Sequence, residues 1–343
     1  MSARTAVAAF PMRLAGNPYC ELLYRHVAAC GVPVEEGGEL SPRWLLTRRH
    51  DVRVLHLHWP ERHWRGPGGR VTARSAAAFA ASLLLARALG YRLVWTVHNL
   101  LPHEPDPADR WLRWLLVRCA DVVLQAEAAR GALPLGRRRP RVIPHGHYVG
   151  WYPDTVSDAE ARVRLGVGDA RRVLLSFGQV RAYKGLGDLL AAFARLPDPG
   201  LRLVVAGAPV HAAEGEAVRA AAARDARIVP LLRFVPDDEV AVCFRAADVV
   251  VLPYREVCIS GAAVLALSFG RPLLVPRRGA LGELAAQGCA LAYDDAAALP
   301  RALLDAAHAD LAPLAARARA AAAALDWDAI GRAYARIFRG EEA

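Results

Sequence analysis

In RRVLLSFGQVRAYKGLGDLLAAF, residues 171–193, a continuous apolar run ends at Phe177, a turn rich in glycine and cations follows, and an amphipathic segment takes over at Leu186. An unbroken apolar run of this length reads as a strand covered on both faces, because a strand with one wet face alternates polar and apolar side chains. Strand, turn and helix in this order are one half of a βαβ unit, and the chain repeats it from end to end. DVRVLHLHW (51–59), YRLVWTVHN (91–99), DVVLQAE (121–127) and RVIPHG (141–146) read as strands of the first half. RRVLLSFG (171–178), LRLVVAG (201–207), RIVPLLRFV (227–235), DVVVLPY (248–254) and RPLLVP (271–276) read as strands of the second. Helical patterns separate them, so the expected fold is α/β with doubly wound parallel sheets.

The division between halves is expected in IPHGHYVGWYPDT (143–155), where Pro144, Gly146, Gly150 and Pro153 cluster and no periodicity survives. That gives a first domain over 1–150 and a second over 151–325. The closing stretch, 326–343, is amphipathic through Trp327, Ile330, Tyr334 and Ile337, and is expected to pack back across the domain boundary.

Composition narrows the function classes. With 54% hydrophobic and 23% charged residues the chain is globular and not disordered. The apolar run near the N-terminus is cut by Pro11 and Arg13, and the Ala/Leu stretch 73–90 is interrupted by Arg87, so neither a secretory leader nor a membrane span is expected. Six scattered cysteines, without a C-x-x-C pair or a histidine at metal spacing, fit reduced thiols in the cytoplasm. Lys and Arg exceed Asp and Glu by 44 to 34. A formal charge of +10 suits a polyanionic partner. The arginines are spread over the chain and no nucleic-acid reader motif occurs, so no nucleic-acid partner is expected.

The opening turn lies at the carboxyl end of a strand, where open α/β sheets gather ligands and where helix N-termini aim N–H groups at anions. Gly178, Arg181 and Lys184 are its candidate phosphate contacts. Lys184 precedes Gly185, which excludes the Walker A pattern, and no G-x-G-x-x-G occurs there to support a dinucleotide cofactor. The turn alone fits a phosphate site and a solvated βα loop equally well. A second stretch, VVVLPYREVCISGAAVLALSFGRPLLVP (249–276), repeats the arrangement, with Glu256, Ser260 and Gly261 at a helix start. Two such turns in one half suit a single diphosphate.

Together FGQVRAYKGLGDLLAAF, LVVAG, FVPDDEVAVCFRAADVVVLPYRE and SGAAVLALSFGRPLLVP resemble, in the right order, the donor-binding half of family-4 glycosyltransferases of the GT-B fold. The resemblance spans most of residues 170–300. It implies two Rossmann-like domains facing across a cleft, a nucleotide diphosphate sugar as donor substrate, no other cofactor, no metal, and retention at the anomeric carbon. Lys184 matches the family's phosphate-contacting lysine. Two departures stand out. Gln179 occupies the place where the family usually has arginine, leaving Arg181 as the substitute, and the family's two glutamates fall on Val257 and Leu265 here. Glu256 is a shifted candidate for the first.

The first half supplies acceptor candidates at successive strand ends: Gly16, Asn17 and Tyr19 in AGNPYCELLY, His58, Trp59 and Glu61 in LHLHWPERHW, and His98 and Asn99 in WTVHNLLPHE. In an inverting reaction Glu61, His98 or Glu104 would deprotonate the acceptor hydroxyl; Arg181 and Lys184 would stabilise the leaving diphosphate. A glycan or lipid-linked acceptor, with peripheral membrane contact through Arg137, Arg138 and Arg139, fits the basic charge. A nucleotide-sugar epimerase and a non-catalytic glycan-binding relic of the same fold are the alternatives.

Overall fold

A computed structural model describes residues 6–66, 69–99, 106–133, 139–255 and 260–341. The chain divides into two compact units. The first takes residues 1–146 together with 326–343, and the second takes 147–325.

In the first unit, β1 (Ala6–Phe10), β2 (Val34–Glu36), β3 (Val52–Leu57), β4 (Arg92–Thr96), β5 (Asp121–Leu124) and β6 (Arg141–Val142) form one six-stranded sheet in the order β2-β1-β3-β4-β5-β6. Every pairing is parallel. The helices Pro42–Arg48, Ala73–Ala88 and Pro107–Cys119 adjoin one another in that order, and the helix Tyr19–Ala29 packs on the closing helix Trp327–Arg339. That last contact is close. A Cβ at Gly331 would stand 2.8 Å from the His26 Cβ and 2.9 Å from the His26 backbone, so only glycine lets the two helices meet there.

The second unit holds β7 (Arg172–Phe177), β8 (Leu201–Ala206), β9 (Ile228–Leu231), β10 (Val249–Val251), β11 (Leu273–Pro276) and β12 (Ala290–Tyr293), also all parallel, in the order β12-β11-β10-β7-β8-β9. Its core combines fully buried Leu174, Leu203, Val249 and Leu274 from the strands with Leu189, Phe193 and Leu303 from the helices. The uninterrupted apolar runs are thus strands sheathed on both faces. No helix among the described residues is long and apolar enough to cross a membrane.

The strand orders fix where a ligand belongs. Each sheet has one point where the chain reverses its direction of travel, between β1 and β3 in the first unit and between β7 and β10 in the second. Crevices outside the carboxyl ends at such points are the usual binding places of open α/β sheets.

Candidate active site

In the second unit the loops after β7 and β10 meet at that switch point. β7 ends at Phe177 and the chain turns through Gly178 (φ 101°) and a short 3-10 turn, Ala182–Lys184, into Gly185. Gly185 has φ 68°, and a Cβ on it would lie 1.9 Å from the carbonyl oxygen of Pro253, in the loop after β10. Glycine is therefore required for the two loops to touch. Across this contact the Lys184 ammonium stands 5.4 Å from the centre of the Tyr254 ring, an attractive cation–π distance. Burial pulls the Lys184 pKa down from its ordinary value, with Arg181 adding to the shift and Tyr183 opposing it. A desolvated ammonium with no carboxylate paired to it among the described residues favours an incoming anion.

Ser260, buried, caps the helix Gly261–Ser268, its Oγ accepting the Ala263 N–H at 3.1 Å. Gly261 opens that helix on the side of Tyr148. The Arg181 guanidinium donates to Gln179 Oε1 at 3.2 Å, so the residue expected to replace the usual arginine leans on the one that displaced it. Arg255 is held by Asp188 through two hydrogen bonds of 3.0 and 2.9 Å. Lys184 and Ser260 thus meet at Tyr254, with Gly178 beside the Lys184 ammonium and Gly261 following Ser260 in the chain. The candidate Glu256 and the position Val257 lie outside the described residues, as do Glu104, Arg137 and Arg138.

In the first unit the strand ends carry imidazoles. His56 and His58 are two residues apart on β3 and just beyond it, and both are buried. His58 Nδ1 shares a 2.9 Å hydrogen bond with His98 Nε2, past the end of β4. The Tyr24 hydroxyl bridges His58 Nε2 at 2.6 Å and His56 Nδ1 at 2.8 Å. From His56 Nε2 the chain of hydrogen bonds runs to Thr96 Oγ1 at 2.8 Å and on to the Tyr334 hydroxyl at 2.8 Å. Burial holds every ring neutral: His56 is pulled to about 3 and His145 to about 4, while His98, also crowded by His58 and His145, falls well below the ordinary histidine value.

Trp59 stacks on His98 at 4.2 Å. Gln125, buried just past β5, adjoins His98, and its side-chain amide is the polar group that raises the His98 pKa against the effect of burial. Asn99 is half-buried beside this cluster in sequence, and Glu61 occupies the 3-10 turn Pro60–His63. Burial raises the Glu61 pKa, against the pull of Arg113 and Arg65. Behind it Asp109 accepts from Trp64 Nε1 at 2.6 Å and from Arg65.

The three acceptor candidates of AGNPYCELLY lie at and just before the start of the helix Tyr19–Ala29. Tyr19 is fully buried at the start of its helix, its hydroxyl 3.4 Å from that of Tyr334, because its ring packs between His98 and His145 and is not offered from a loop. Asn17 spends its side-chain oxygen on the Tyr19 N–H at 3.1 Å, leaving the exposed Gly16 (φ 69°) as a turn residue. The sequence signal for the hidden network was the H-x-H of LHLHW, since period-two spacing puts both rings on one face of a strand.

The family model described as glycosyl transferases group 1 matches residues 171–309. Over 283 residues, 81% of this chain and 76% of the relative, the sequence is 35% identical to a GDP-mannose:glycolipid 4-beta-D-mannosyltransferase of Xanthomonas campestris pv. campestris. Among solved structures, sucrose-phosphate synthase from Thermosynechococcus elongatus superposes with a TM-score of 0.74 at 18% identity, covering 98% of this chain and 99% of that one. Anabaena HepE in complex with UDP and glucose superposes with a TM-score of 0.70 at 18% identity, over 98% and 100% of the two chains. Both likenesses are of fold.

Proposed function

The chain belongs to the group 1 glycosyltransferases, and on that premise we propose that it moves mannose from GDP-mannose to a hydroxyl of a lipid-linked glycan, with inversion and without a bound metal. The observation that carries the reading is the similarity to the Xanthomonas mannosyltransferase, which covers far more of the chain than the 171–309 of the family model. Acceptor and donor sides are therefore both related to an enzyme whose name specifies a glycolipid and a β-linkage. GDP-mannose holds its sugar through an α-glycosyl phosphate bond. A β-mannoside formed from it requires inversion, where the sequence resemblance alone implied retention.

In this reading the acceptor oxygen attacks the anomeric carbon as the bond from that carbon to the diphosphate breaks, and the electron pair leaves on the GDP oxygen. Lys184, Arg181 and the first N–H groups of the helix Gly261–Ser268 receive that charge, the role a metal plays in other transferases. His98 takes the proton of the acceptor hydroxyl. Burial keeps it unprotonated at neutral pH, and Trp59, His58 and Gln125 orient it and the incoming hydroxyl. Glu61 is the competing base, with its carboxyl raised toward neutrality.

The test is a melting-temperature panel of nucleotide sugars followed by turnover in the presence of a chelator. A ligand bound only by the native state raises its stability with occupancy. GDP-mannose is expected to stabilise more than UDP-glucose, and the product to be a β-mannoside by its anomeric NMR coupling. Stabilisation by UDP-glucose alone, an α-linked product, or activity abolished by the chelator would each sink the corresponding part.

A further inference from the structure

The helix Pro107–Cys119 is amphipathic in an unusual sense, because its outward stripe is Arg110, Trp111, Trp114 and Arg118. Trp111 is 50% exposed and Trp114 41%, and the Arg118 guanidinium lies over the Trp114 ring at 3.6 Å. Next to it the helix Ala73–Ala88 exposes Leu84 by 56%, and next to that Pro42–Arg48 exposes Leu46 by 49%. Half of the large hydrophobic side chains exposed among the described residues stand on these three adjoining helices. Among the described residues the three helices carry no exposed carboxylate of their own: two contain no acidic residue, and the third contains only Asp109, which is buried and paired with Arg65, while Glu35 and Asp51 pair with Arg48 at the edge of the face. Exposed Arg43 and Arg87 extend the positive field across the other two.

From this juxtaposition we infer that the three-helix face of the first unit is a docking surface for an anionic lipid bilayer. Tryptophan belongs at the boundary between headgroups and acyl chains, where its ring is dehydrated while its N–H stays wet. Arginines flanking such rings pair with anionic headgroups, and their stems lie along apolar surface while the charge stays in water. Aromatic anchors and basic residues on the exposed faces of helices are the composition of a segment that lies in the interface plane. The helix Pro107–Cys119 belongs to the same unit as His98. Docked through this face, the unit that holds His98 stays at the surface where a lipid-tethered hydroxyl is presented. The purpose, though not the surface itself, rests on the reading of a lipid-linked acceptor.

Flotation with vesicles of phosphatidylcholine alone, and of equal parts phosphatidylcholine and phosphatidylglycerol, tests this on the whole chain. The protein is expected to float with the anionic vesicles and to be released by salt. Trp111→Ser with Trp114→Ser, and separately Arg110→Glu with Arg118→Glu, are expected to lower the bound fraction about tenfold each at an unchanged melting temperature. A second measurement needs no variant: vesicles with brominated acyl chains quench tryptophan emission of the unmodified protein if Trp111 and Trp114 enter the interface. No flotation, no quenching, or variants that float like the unmodified chain would overturn the surface. So would a dimer that the tryptophan substitutions convert to a monomer without any lipid binding. Transfer to a short-chain, water-soluble acceptor is expected to be untouched by either pair of substitutions. Absence of transfer with flotation intact would remove the enzymatic reading and leave the surface standing.

Discussion

Both units close six parallel strands and both bring their polar residues to the carboxyl ends, yet they fill those ends with opposite materials. The second unit uses backbone and permanent charge: Gly178, Lys184, Gly185, and the helix start at Ser260 and Gly261. The first uses rings, with His56, His58, His98, Tyr24 and Trp59 packed against one another and the imidazoles kept neutral by burial. Holding an anion takes open N–H groups and cations, which one short loop can supply. Handling a proton takes a neutral base in a fixed orientation, and that takes side chains from several segments.

Acid breaks the comparison most deeply. A histidine whose native pKa lies below its unfolded value near 6.5 binds fewer protons folded than unfolded, so its contribution is present above that value and is lost as pH falls toward the native pKa. With His63 and His145 at about 4 and His56 at about 3, the first unit is expected to lose about 1.4 kcal/mol per imidazole per pH unit below 6.5. The histidines of the second unit, His147, His211 and His308, are not buried. Every tryptophan but Trp151 belongs to the first unit. Tryptophan emission should therefore change at a higher pH than the bulk circular dichroism, and coincident transitions would remove the contrast.

Catalysis is the next way to separate the units. His98→Ala is expected to lower kcat about 10²–10⁴-fold while leaving the nucleotide dissociation constant within about twofold, the signature of a lost general base. If Glu61→Gln has that effect and His98→Ala does not, the base is the carboxylate. On the other side Gly185→Ala should cost about 3 kcal/mol, from a strained φ and an overlap with the Pro253 carbonyl. Chemical denaturation of that variant with and without nucleotide measures both losses; wild-type stability would mean that the two loops do not touch. The smallest effect belongs to Lys184→Ala, expected to weaken GDP binding by about 1.5–3 kcal/mol, as for a hydrogen bond to a charged group, at an unchanged melting temperature. Calorimetry reads it directly, and equal affinity would take Lys184 out of the site.

How far the sequence could be read follows the same division. The donor turn is legible because Gly178, Lys184 and Gly185 sit in one stretch between a sheathed strand and a helix. Tyr254 was in view at the end of DVVVLPY but carried no signal, since an aromatic at a strand end reads as core until Lys184 is found over its ring. The imidazole network was half legible. His58 and His98 stand at recognisable strand ends, whereas the tie from Thr96 to Tyr334 spans 238 positions and no local pattern announces it. β2 and β12 escaped for a different reason: Val34–Glu36 is short and polar, and Ala290–Tyr293 has none of the β-branched residues that mark a strand.

The return of the closing helix, Trp327–Arg339, to the first unit has a consequence for the order in which the protein is made. Domains emerging from a ribosome commonly fold from the N-terminus onward. Here Tyr19 and Thr96 wait for Tyr334, and the helix Tyr19–Ala29 waits for Gly331, through the whole synthesis of the second unit. The second unit, uninterrupted from His147 to Leu325, can finish while the first is still open on the face that Tyr334 seals. The unit whose first segment precedes the other along the chain is the one that completes its assembly after it.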